Sequence, residues 1–270
     1  ISNPGKGVVS TVNSGSKGTV TVGGSVSVTA VDTATGVDVS VSNSDGKETS
    51  STVTINEDVT VSSRNYATPE DYLRDYATAI RTNISGGKSV ISVGGDVTAQ
   101  GNVGSATAIE SYSYKEEKTA ADSSITVEGT VEARTYGDST SATAVKVDNN
   151  DSNSTVDVAK EIGAYSSNGE ATGVSLMNYE DGTVQFAAGD SITAYAGNGT
   201  ATGLNTQSDG SNTKATVSGD ITSDAAFGST ALSAAAWNKG NSEVTISGDV
   251  SASSDNGWAE SLTAGAGKES

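Results

Sequence analysis

Few side chains in this sequence are of the kinds that do chemistry. None of its 270 residues is His or Cys. That removes the commonest general base, the commonest metal ligand and all thiol chemistry. Carboxylates, guanidinium groups, amines and phenols remain. Carboxylates could act in pairs, as in glycoside hydrolysis, where two acids flank the scissile bond at a fixed separation. Here Asp96, Asp190, Asp220 and Asp249 each close the same short phrase, "GGD", "AGD" or "SGD". Acids that recur in register read as corners of a repeat. No GxSxG, phosphate-binding loop or metal-ligand cluster stands beside them. The sequence thus predicts neither an enzyme nor a cofactor.

Two other groups of residues could bind a ligand. "VDNNDSNST", at 147–155, places Asp148, Asn150 and Ser152 at alternate positions, as a calcium loop does. It lacks the Gly at the sixth place and the Glu at the twelfth, so a plain Asx-rich turn is the stronger reading and no metal is expected. Phenols and cations gather elsewhere. "SSRNYATPEDYLRDYATAIRTN", at 62–83, holds Arg64, Tyr66, Tyr72, Arg74 and Tyr76. "SYSYKEEKTAAD", at 111–122, adds Tyr112, Tyr114 and Lys115. Tyr-rich loops on a rigid scaffold are common recognition surfaces for glycans and proteins. These eight residues are the candidate ligand-binding set. Thr68 before Pro69, Glu70 and Asp71 has the form of a helix start, which predicts a short helix over 69–76.

The elements that would carry these loops are legible as a repeat. The words ATGV and ATAI, with close variants, begin at 34, 77, 106, 142, 171 and 201, and looser copies begin at 229 and 259. The unit is about 30 residues, and two longer intervals mark insertions. Each unit alternates apolar residues (Val53/Ile55, Ile125/Val127, Val184/Phe186), turns a polar corner, starts a second strand on a β-branched residue (Val97, Ile162, Ile192, Val250), and ends on the ATGV word. Period-two patterning bounded by turn residues is that of strands. Identical strands stacked turn on turn hydrogen-bond along the stack at about 4.8 Å per coil. The expected fold is an all-β, three-faced parallel β-helix, a β-solenoid of about eight coils. Right-handed winding follows from the crossover rule. Residues 1–270 form one domain, with insertions at 62–76 and 111–122. The recurrent Thr of the ATGV word (Thr35, Thr78, Thr107, Thr143, Thr172, Thr202, Thr230) reads as an inward or corner ladder.

Composition bounds the partners. Apolar residues make up 34% and the net charge is −18, a balance that leans to disorder unless a repeat builds a thin continuous core. The acidity argues against nucleic acid and anionic membrane, since no basic stripe is present to release counterions. No apolar run approaches the length of a membrane span, so direct membrane insertion is not expected.

The phrases "GNGTATGL" (197–204), "SNGEATGV" (167–174) and "ATVSGDITSD" (215–224) resemble secreted bacterial β-solenoids, in particular the passenger regions of autotransporters and filamentous-haemagglutinin-like adhesins. The resemblance spans about 18–265. It implies an extracellular, cell-surface shaft or adhesin, often without catalytic residues. The shared words are structural, so no functional residue carries over. The implied partner is a glycan or protein of a host or neighbouring cell. Both ends lack a visible cap, which reads as a fragment of a longer array or as a subunit that stacks on itself end to end.

Overall fold

The computed structural model describes residues 4–64, 76–116 and 119–267. The chain winds as a parallel β-solenoid of about eight coils. A coil is well seen in the stretch Thr183–Ala188, Ile192–Ala196 and Thr200–Asp209. The first strands of all coils, from Lys17–Val22 to Asn241–Ile246, stack in chain order as an eight-stranded parallel sheet. The second and third strands belong to a fifteen-stranded sheet, because in two coils they run on through the corner as Val131–Asn150 and Ile162–Tyr179. No helix occurs among the described residues. The helix expected over 69–76 falls outside them except at its last residue, and Tyr76 opens the strand Tyr76–Ser85.

Register is set by the inward residues. In the first sheet Val53, Ile91, Ile125, Val156, Phe186 and Ala215 face one another from coil to coil and are fully or almost fully buried. The bulk of Phe186 is balanced by Ala215 on the next coil. A one-residue slip would turn this whole apolar set to solvent, which is why a thin core still specifies one pairing. Truncating a central member such as Ile125 to Ala removes its burial and leaves a cavity, at a typical cost of about 2–5 kcal/mol.

The corners are built from polar residues that hold backbone. Between first and second strands the Asp96 carboxylate accepts the Thr130 amide at 2.8 Å, and Asp58 accepts the Asp96 amide at 2.9 Å. Asp220 does the same for the Asp249 amide at 2.8 Å. Asp58, Asp96 and Asp220 thus tie one coil to the next, whereas Asp190 accepts the amide of its own neighbour Ser191 at 2.9 Å. At the second corner the coils approach so closely that a Cβ on Gly199 would lie 2.0 Å from the Gly169 carbonyl oxygen, a space only glycine fits.

The third strand carries a bend. Gly36 and Val37 both point inward, and the same pair of inward positions recurs in later coils. The outward residues on either side then converge. Thr143, Thr172, Thr202 and Thr230 face Lys146, Ser175, Asn205 and Ser233 across a groove of about 540 Å³ that runs over several coils. The Thr ladder is therefore at a corner, on its outer side.

Candidate functional site

The second strand of each coil presents its fourth residue to solvent. Val131 and Ala133, Ile162 and Ala164, and Ile192 and Ala194 are buried on the inner side, so the residues after them must face out. In three successive coils that outward column reads Arg134, Tyr165, Tyr195. A parallel ladder places them about 4.8 Å apart, and a small cluster results that no loop has to organise.

The arrangement is specific. The Arg134 guanidinium lies over the Tyr165 ring, 4.3 Å from its centroid, a cation–π pair. Glu132, on the same strand, holds the guanidinium through two hydrogen bonds, donated by Nε and, at 2.7 Å, by Nη2. The Glu132 contact raises the Arg134 pKa above its ordinary value, against the opposing effect of burial. Gly163 is the counterpart of Glu132 on the next coil. A Cβ there would meet the Tyr165 ring at 2.6 Å, so the absent side chain lets the ring lie down along the strand. Tyr136, half exposed at 50%, and Tyr195, at 46%, stand beside it. With Thr135, Ser166 and Ser167 these residues line an open cleft of about 380 Å³. None of the three phenol hydroxyls bonds another described residue. Burial is the main cause of the raised Tyr165 pKa, with Glu132 adding to it and Arg134 opposing it. The phenol is therefore protonated and able to donate. A half-exposed aromatic cleft with a fixed cation and free hydroxyls suits weak, oriented binding of an amphipathic ligand.

The residues singled out from sequence are placed differently. Arg64 is exposed at the end of the strand Val59–Ser63, and Tyr76 is 52% exposed at the start of the next. Tyr66, Tyr72 and Arg74 lie outside the described residues. Tyr112 is tied down: its hydroxyl donates to Glu110 at 2.6 Å and accepts from Lys146 at 2.8 Å, with the ammonium 5.0 Å from the ring centroid. Arg81 pairs with Glu110 at 3.3 Å from the other side. Tyr114 is 45% exposed. Lys115 pairs with Asp151 at 2.6 Å, which raises the lysine pKa. Tyr76 stands opposite Ser105, and Tyr114 opposite Ser85. Tyr76 and Tyr114 thus stand at opposite ends of a ten-residue strand pair, roughly 25–30 Å apart along it. Asp148 and Asn150 face outward, but Ser152 is buried, its hydroxyl within hydrogen-bond reach of Asn149 Oδ1 and the Ser113 carbonyl. The three do not converge. Among the described residues no group of three or more acids is placed to hold a metal ion.

Sequence reasoning followed charge-rich insertions and passed over the Arg134 column. A signal was present. "GAYS" and "TAYA" repeat Ala-Tyr at one-coil spacing, and "EARTY" sits one coil earlier. Aligning the second strands by column, and not only by their apolar residues, brings Arg134, Tyr165 and Tyr195 together.

Fold and site define a parallel β-solenoid whose second face carries an aromatic cleft. Comparison with protein-family models, with curated proteins and with solved structures finds no match to this chain.

Proposed function

We propose that this solenoid is an extracellular structural and adhesive segment of a bacterial surface protein, a stiff acidic shaft that presents a weak glycan-recognition surface. One observation carries the reading: Arg134, Tyr165 and Tyr195 of the cleft stand on a paired strand ladder, with Tyr136 at the register irregularity just beyond it, and the phenol hydroxyls bond no other described residue. A preformed site loses little freedom on binding, so a small contact area still gives useful affinity when many copies act together. The corner acids are engaged with backbone amides, which supports a non-catalytic role.

The test is adhesion. Beads coated with the chain are expected to be retained on glycan-bearing surfaces, and mild periodate oxidation of those surfaces should abolish retention. Retention that survives periodate but not protease treatment would replace the glycan partner by a protein. Retention that is unchanged in the Tyr165→Ala/Tyr195→Ala double variant would move recognition off this face. The alternative of end-to-end self-association predicts growth into fibres with concentration in sedimentation velocity. A glycan-processing activity predicts release of reducing sugar from a polysaccharide panel.

A further inference from the structure

We infer that the Tyr136–Tyr165–Tyr195 cleft selects uncharged sugars, and that Glu132 is the residue that keeps anionic sugars out. This rests on the glycan reading of the same site.

An exposed arginine beside aromatic rings would ordinarily invite a carboxylate, because its planar fork matches carboxylate geometry. Here the fork is already occupied. Nε and Nη2 of Arg134 both donate to the Glu132 carboxylate, and one flat face of the guanidinium rests on Tyr165. An incoming carboxylate would have to share the cation with an acid already bidentate on it. It would also approach a second acid. Glu161 and Glu132 together line the small hollow of about 70 Å³ that adjoins Tyr165 over Gly163. Beyond the site, 33 acidic residues against 15 basic ones repel anions at longer range. Local and global fields thus act in the same direction.

What is left open suits a neutral ring. The exposed Tyr faces offer their negative π-clouds to the C–H groups of a sugar. The three phenol hydroxyls and the exposed Ser167 stand at the rim for its hydroxyl groups. Arg134 keeps N–H groups beyond the two that Glu132 takes, because a guanidinium has five. The cleft is at the small end of the range for ligand sites, which fits one or two sugar rings and not a deep-bound polymer.

The experiment uses matched probes on a dense array, so that weak sites are read through avidity. Lactose is paired with 3′-sialyllactose, and neutral oligosaccharides of glucose, galactose and N-acetylglucosamine are set beside oligogalacturonates. The expected result is binding to one or more neutral probes and at least tenfold weaker binding to anionic ones. Glu132→Gln is then expected to raise the ratio of anionic to neutral binding at least tenfold. Preference of the wild-type chain for anionic probes would overturn this inference and leave the glycan reading standing. Neutral preference that Glu132→Gln does not relax would remove Glu132 as the selecting residue. No binding to any probe by wild type or variant would overturn the glycan reading and this inference with it.

Discussion

Two places on this solenoid use the same three kinds of residue to opposite ends. On the second face Glu132, Arg134 and Tyr165 meet; on the third, Glu110, Lys146 and Tyr112 do. Each has a cation over a phenol ring, at 4.3 Å and 5.0 Å to the centroid. In the Tyr112 cluster the hydroxyl is bonded on both sides, to Glu110 and Lys146, and Arg81 extends the network along the stack. In the Tyr165 cluster the acid and the cation satisfy each other and the hydroxyl is left over. A polar aromatic cluster that closes on itself serves the fold. One that leaves a donor and a ring face unspent is available to a ligand.

The sharpest way to break this contrast is truncation of each ring. Tyr165→Ala should lower affinity for the best array ligand at least tenfold, whereas Tyr112→Ala should leave it within twofold, as read by titration of soluble oligosaccharide. Equal losses would mean that both clusters bind, or that the effect is general destabilisation. Thermal unfolding of the same samples separates those two cases.

A smaller effect is expected from changing the bed on which Tyr165 lies. Gly163→Val places a Cβ where the ring now is, 2.6 Å from its edge, so the ring must lift off the strand and leave Arg134. Affinity should fall about three- to tenfold with unchanged far-ultraviolet dichroism, and a crystal structure of the variant would show the displaced ring. Retained affinity with a lifted ring would show that the flat pose is not the binding pose.

Removing hydroxyls alone tests closure against opening. Tyr112→Phe loses two hydrogen bonds to charged partners at a partly exposed site, and a cost of about 1–2 kcal/mol is expected. Tyr165→Phe loses no bond to a described residue and should leave the melting temperature within a degree or so. Differential scanning calorimetry decides it. A larger loss at Tyr165 than at Tyr112 would reverse the assignment of which cluster is structural.

The same contrast explains what could be read from sequence. The coil was legible because its ladders demand like residues at like places: Val53, Ile91 and Ile125 must match their neighbours or the stack fails. The corner acids were legible for the same reason. The site was not, because a binding column need only differ from its neighbours. Arg134, Tyr165 and Tyr195 occupy positions that hold Thr29, Ser62 and Gln100 in earlier coils. Period-two patterning says that such positions face out, not that three of them form a cleft. Local charge density pointed instead to Tyr112 and Lys115; Glu110 lies on the strand of Tyr112 itself, but Lys146 and Asp151 come from the next coil. Whether a phenol is closed or open is decided in part across coils, as by Lys146 at Tyr112, where a single-strand reading cannot look.

The smallest expected effect is in alkaline titration. Burial pushes the Tyr165 phenol above its ordinary value, and burial with the Glu110 bond does so at Tyr112. For a group whose pKa is raised on folding, the neutral form is favoured in the native state. Its contribution to stability is whole below the unfolded phenol pKa of about 10 and is lost as pH climbs through that value toward the folded one. Stability should therefore decline above about pH 10, and phenolate absorbance should show a late-ionising fraction. Tyr112→Phe and Tyr165→Phe should each remove part of that fraction. Saturating neutral oligosaccharide should delay ionisation further in wild type and in Tyr112→Phe, and less in Tyr165→Phe, which has lost one of the hydroxyls that line the cleft. A delay in Tyr165→Phe as large as in wild type would show that the bound sugar takes no hydrogen bond from the Tyr165 hydroxyl, and the centre of the site would have to be redrawn.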